Sequence, residues 1–182
     1  GIYVGYRYYR SASVKVQYPF GFGLSYTTFD YSDISVDGDK VSFTLTNSGS
    51  VDGAEVSQLY VSKPDSMIFR AEEELKGFAK TFLAAGESKR VTITLEDKAF
   101  RYFNVATNKW EVEPGSYEIR IGASSEDIKL TAITKVEGTN APNPYDKTEY
   151  AKYYAADVAN LTNEEFEKLI GRKVEYPPVV RR

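Results

Sequence analysis

Residues 29–46 read FDYSDISVDGDKVSFTLT, and the fold follows from how that stretch alternates. Val41, Phe43 and Leu45 are separated by Ser42 and Thr44, the period of two that places one side chain set on a core and the other in water. Phe29 and Tyr31 precede them, with Ile34 and Val36 offset by one position. Asp37-Gly38 divides the two runs, a pair suited to a tight hairpin because both residues tolerate positive φ.

The same texture continues outward. Val56, Gln58 and Tyr60 with Leu59 and Val61 read as a third strand closed by Pro64, and Leu75 to Leu83 as a fourth. Ala85-Gly86-Glu87 turns into Val91, Ile93 and Leu95, the cleanest alternation of the chain. Phe100 to Val105 and Trp110 to Val112 flank Thr107-Asn108. Pro114-Gly115 opens Tyr117, Ile119 and Ile121, and Ile128, Leu130 and Ala132 finish the set. Seven to nine short strands about 8–12 residues apart predict an all-β, immunoglobulin/fibronectin III-like β-sandwich. Roughly twenty inward apolar side chains, at ~1.5–3 kcal/mol each, are enough to hold it. Tyr117, just after a turn, is placed as the tyrosine corner of such sandwiches.

Three regions emerge: residues 1–28, 29–136 and 137–182. The first is an aromatic linker crowded with Tyr, Phe and Gly, without a period. The second is the sandwich. The third begins as a Pro/Asn-containing linker and ends as a short helical appendage. There, Thr162 with Glu165 forms a capping box, and Leu161 with Phe166 a hydrophobic staple. Gly171 closes that helix, and Pro177-Pro178 forbids its continuation. Tyr150, Tyr153, Tyr154 and Val158 predict one face of an earlier helix starting near Asp146. Both helices need something to cover, either the sandwich flank or a neighbour. The opening at Gly1 reads as the middle of a longer polypeptide.

Composition excludes several chemistries. The 182 residues contain no His and no Cys, so there is no Ser-His-Asp triad, thiol nucleophile, disulfide or thiolate metal site. No cofactor and no metal is called for, and Asp37-Gly38-Asp39 is too short for a calcium loop. The formal net charge of −3 argues against nucleic acid as a partner. Lys76-Gly-Phe-Ala-Lys-Thr-Phe82 imitates an RNA-recognition signature but has Lys80 where that signature wants an aromatic. The longest apolar runs are too short to span a membrane, so no membrane partner is expected either. No compartment is fixed, with a slight preference for the cytoplasm.

Paired carboxylates remain possible, since glycoside hydrolysis needs neither His nor Cys. The candidates are Glu72, Glu73 and Glu74, or Glu126 with Asp127; the plainer account is a solvated charged loop and a polar turn. The 26 aromatic residues (15 Tyr, 10 Phe and one Trp) are the compositional outlier. Those of residues 1–28 offer either a sugar-stacking platform or a surface that packs against another domain. The interleaved Gly5, Gly21 and Gly23 favour the second, with Tyr6, Tyr9, Phe20 and Phe22 as the interface residues.

Five segments resemble, in order, the C-terminal part of glycoside hydrolase family 3, the β-glucosidase family. They are residues 1–9 (GIYVGYRYY), 18–32 (YPFGFGLSYTTFDYS), 46–64 (TNSGSVDGAEVSQLYVSKP), 74–89 (ELKGFAKTFLAAGESK) and 110–130 (WEVEPGSYEIRIGASSEDIKL). The resemblance implies that 29–136 is the fibronectin type III-like domain and that 1–28 leaves an α/β sandwich domain. It also implies that the catalytic Asp and Glu lie on upstream domains, so no catalytic residue is carried onto this chain. The implied role is non-catalytic, with the remaining catalytic domains of the same polypeptide as partners and self-association as a further possibility. A carbohydrate-binding module built on the N-terminal aromatics is the alternative. Arg70-Ala71 departs from the family's usual Arg-Pro, and the tail at 162–178 looks like a segment of some bacterial members, including ones with permuted domains.

Overall fold

The computed structural model describes residues 1–175. Two antiparallel sheets carry the chain. One is three-stranded and built from β1 (Phe29–Asp37), β2 (Lys40–Asn47) and β5 (Ser88–Thr94), in the order β1-β2-β5. The other is four-stranded and built from β3 (Gly53–Ser62), β4 (Glu74–Leu83), β8 (Gly115–Gly122) and β9 (Ile128–Val136), in the order β4-β3-β8-β9. A separate hairpin pairs β6 (Arg101–Asn104) with β7 (Lys109–Val112), outside both sheets.

The period of two decides the core. Val41, Phe43 and Leu45 of β2 lie opposite Ile93, Val91 and Lys89 of β5. The β2 side chains meet Leu59, Ile119 and Ile121 of the other sheet in one cluster, most of it fully buried. The offset in β1 is a bulge: the register with β2 shifts between Ser32 and Ser35, and Asp33 takes a φ of 55°. The hairpin turn differs from the expectation by one residue. Asp37 pairs with Lys40, leaving Gly38 and Asp39 as the central pair, and only Gly38 has positive φ, at 57°. A glycine first in a two-residue turn matches the strands' twist, so the second residue needs no left-handed backbone.

Tyr117 forms the expected corner, donating its hydroxyl to the Glu113 carbonyl at 2.8 Å. Burial holds many tyrosine hydroxyls neutral. Tyr3 is pushed up to about 12, by burial first and by Tyr154 second, and burial likewise raises Tyr31, Tyr60 and Tyr117. A folded-state pKa above the unfolded value of about 10 contributes stability that is complete below pH 10 and is lost as pH rises through the folded values. Alkaline titration followed at 295 nm is therefore expected to show a late phase above pH 11 that coincides with unfolding by circular dichroism.

The tail corrects one expectation. Asp146 caps a turn by accepting the amides of Thr148 and Glu149, but the helix itself, α2, covers only Ala151–Tyr154. Ala156, at φ 52°, breaks it before Val158, which lies in a separate 3-10 turn. Its tyrosines serve packing instead: Tyr145, Tyr150, Tyr153 and Tyr154 surround Phe69 at ring distances of 4.4–6.4 Å. The element covered is thus the loop between β3 and β4. The last helix, α3 (Asn163–Ile170), has the predicted Thr162–Glu165 capping box and a left-handed Gly171 at its end. Pro177 and Pro178 lie outside the described residues.

Candidate functional site

Residues 1–28, which show no periodicity, contain a short helix, α1 (Tyr6–Ser11). Six residues cannot sustain a helix alone, and tertiary contacts supply what propensity does not. The Tyr6 ring stacks on Phe20 at 4.5 Å and meets Tyr60 of β3 edge-on at 6.0 Å. The Tyr6 and Ser11 hydroxyl oxygens accept the backbone amides of Leu75 and Glu72, each at 2.7 Å. Beyond the helix, the Phe20 carbonyl accepts the Ser125 amide at 2.9 Å. Gln58 donates to the carbonyls of Gly21 and Ala123 and accepts from the Tyr60 hydroxyl at 2.6 Å. Gly21 has φ 80°, and a Cβ there would lie 2.0 Å from Gln58 Oε1, so only glycine permits the approach.

An ion cluster fixes the same segment. Glu73 is fully buried, and its two oxygens accept from Arg10 of α1 at 3.2 Å and Arg120 of β8 at 2.9 Å. Arg120 also binds Glu72 at 3.1 Å and Glu118 at 2.7 Å. Burial works against the charge on Arg120, but its carboxylate partners outweigh burial and raise its pKa further. Beside it, Glu74 pairs with Lys76 at 3.1 Å and Arg7 at 3.3 Å. Burial favours its neutral form, yet Lys76, Arg70 and Arg7 together hold the carboxyl below its ordinary range.

Both Glu73 oxygens are thus committed to arginines of two different elements. Asp127 is paired with Lys129 at the β8–β9 turn. Among the described residues, no group of three or more His, Cys, Asp or Glu could hold a metal ion. The solvated-loop account of residues 72–74 needs correcting, because Glu73 faces inward. β4 begins only at Glu74, so Glu72 and Glu73 lie in the preceding loop, where no alternation marks which carboxylate turns inward to the arginines.

The four candidate interface residues divide. Tyr6 is turned inward onto Phe20 and Tyr60, whereas Tyr9, Phe20 and Phe22 are 42%, 45% and 47% exposed. Tyr18, Leu24 and Tyr26 extend this outward set. Together with Val56 and the exposed Phe78 on the outer face of β3 and β4, Phe20, Phe22 and Leu24 line a shallow hollow of about 500 Å³. Tyr18 and Phe22, both exposed, lie with their centroids 5.3 Å apart and their planes tilted by 36°.

Residues 55–125 match the family model of the fibronectin type III-like domain. The chain is 47% identical over 147 residues to thermostable beta-glucosidase B of Acetivibrio thermocellus, covering 76% of this chain and 20% of that protein. It is 43% identical over 158 residues to an exo-alpha-(1->6)-L-arabinopyranosidase of Bifidobacterium breve, covering 84% of this chain and 21% of that one. The crystal structure of a GH3 beta-glucosidase from Bifidobacterium adolescentis superposes with a TM-score of 0.74 at 38% identity, over 92% of this chain and 24% of that one. Fungal beta-glucosidases match as well. The chain thus spans about a fifth of the length of these relatives.

Proposed function

The chain carries the fibronectin type III-like domain of family 3 β-glucosidases, and from that premise we propose that its outward aromatic strip packs against the catalytic domains of the same polypeptide. The carrying observation is the buried Glu73–Arg10–Arg120 cluster, which holds α1 against the sandwich and so fixes where Tyr9, Phe20 and Phe22 project. A contiguous apolar surface of this kind is costly to leave in water and marks a contact. The parent would hydrolyse terminal β-D-glucosyl residues by a retaining two-carboxylate mechanism, with both carboxylates outside this chain.

A complementation assay tests this reading. The pure 182-residue chain is expected to leave p-nitrophenyl β-D-glucoside untouched. Adding it to the separately expressed remainder of the polypeptide is expected to raise turnover at least tenfold. The Tyr9→Asp/Phe22→Asp chain should lose that gain while keeping its melting temperature. Turnover by the chain alone, or an undiminished gain with the double variant, contradicts the proposal.

A further inference from the structure

The β6–β7 hairpin, outside both sheets, presents the protein's single tryptophan. Phe103 lies directly opposite Trp110 in register, their centroids 5.7 Å apart at 76°, an edge-to-face pair that steadies the indole. Trp110 is nonetheless 64% exposed. The two rings border a hollow of about 320 Å³ whose other walls include Arg7, Glu74, Arg101 and Tyr102. That volume falls in the range of small-molecule sites, and an apolar wall with a few convergent polar groups is their usual make-up.

The charges of the hollow are already matched. Arg7 pairs with Glu74, Arg101 with Asp97 at 2.9 Å, and Arg70 with Glu113 at 3.8 Å. A phosphate or carboxylate ligand would have to break one of these pairs. A neutral polyhydroxylated ligand would not, since guanidinium N–H groups and carboxylate oxygens keep further hydrogen-bonding capacity while paired. The Tyr102 hydroxyl accepts from Asn104 Nδ2 at 3.2 Å, which leaves its proton to be donated. From these features we infer that the Trp110 hollow is a binding site for a neutral oligosaccharide, one pyranose ring packing its C–H face on the indole while its hydroxyls reach Arg7, Glu74 and Tyr102. This rests on the reading of the chain as part of a glycosidase, and it gives the domain a carbohydrate-holding role apart from packing.

Because Trp110 is the only tryptophan, its fluorescence reports the site directly. The 182-residue chain is titrated with cellotetraose, laminaritetraose and xylotetraose to about 10 mM, enough to reveal a Kd near 1 mM. At least one is expected to give a saturable blue shift and to reduce iodide quenching of the indole by at least twofold. By calorimetry, Trp110→Ala is expected to weaken binding at least tenfold and Phe103→Ala severalfold, with unchanged melting temperatures; Tyr26→Ala should bind as the parent chain does. No saturable change with any of the three sugars, or binding retained by Trp110→Ala, overturns the inference. Shielding of Trp110 from iodide by the catalytic remainder in place of sugar also overturns it and identifies the hollow as a domain contact. Titration of the chain alone is independent of the complementation assay, so failure here leaves that result standing.

Discussion

Glu73→Ala is expected to destabilise the chain by about 3–5 kcal/mol, the cost of removing one partner from a buried ion pair. The side chain has no exposure, and its loss leaves Arg10 and Arg120 facing each other across an emptied site. Arg120 keeps Glu72 and Glu118, but the bridge that joins α1 to β8 is gone. For a chain of this size the midpoint of thermal unfolding should fall by roughly 6–20 °C. Glu73→Gln keeps the volume and one acceptor and should lose less. A double-mutant cycle with Arg120→Ala should be clearly sub-additive, because the two residues share one 2.9 Å ion pair that can be lost only once. A loss below about 1 kcal/mol for Glu73→Ala, in the range of exposed surface pairs, would mean that the cluster is solvated and the segment only loosely held.

Phe43→Ala should cost about 3–5 kcal/mol in urea unfolding, through lost burial and an unfilled cavity. Phe43 is fully buried on β2 and stacked on Tyr31 at 5.8 Å. Phe78 is the informative contrast: the same residue type, in a strand, but 66% exposed on the outer face of β4. Phe78→Ala is expected within about 0.5 kcal/mol of the unaltered chain. Comparable losses at the two positions would show that β4 turns its other face to the core.

The sandwich was legible because burial on one face imposes a period of two, and β2, β5 and β8 obey it almost without exception. The capping box at Thr162 and the corner at Tyr117 were equally readable, each depending on a residue and its close neighbours in sequence. Elements whose stability is tertiary left weaker traces. The α1 helix depends on Tyr60, Leu75 and Glu73, all more than fifty positions away. The tyrosines of the tail have helical spacing, yet the ring they enclose belongs to Phe69, and wrapping around it cuts the helix to one turn. Glu73 resembled its solvated neighbours because nothing local distinguishes a carboxylate that meets two arginines from one that meets water. The aromatic strip was identified as a set, but not the inward turn of Tyr6.

Hydrogen exchange at three backbone amides tests the account most directly: Glu72, Leu75 and Ser125 donate to Ser11, Tyr6 and Phe20 across the junction of the N-terminal segment and the sandwich. If the segment is one body with the sheets, these amides exchange as slowly as those of Ile119 and Ile121 in β8. Exchange at open-chain rates, with β8 still protected, would show residues 1–28 detached from the sandwich and leave the aromatic strip without a fixed position.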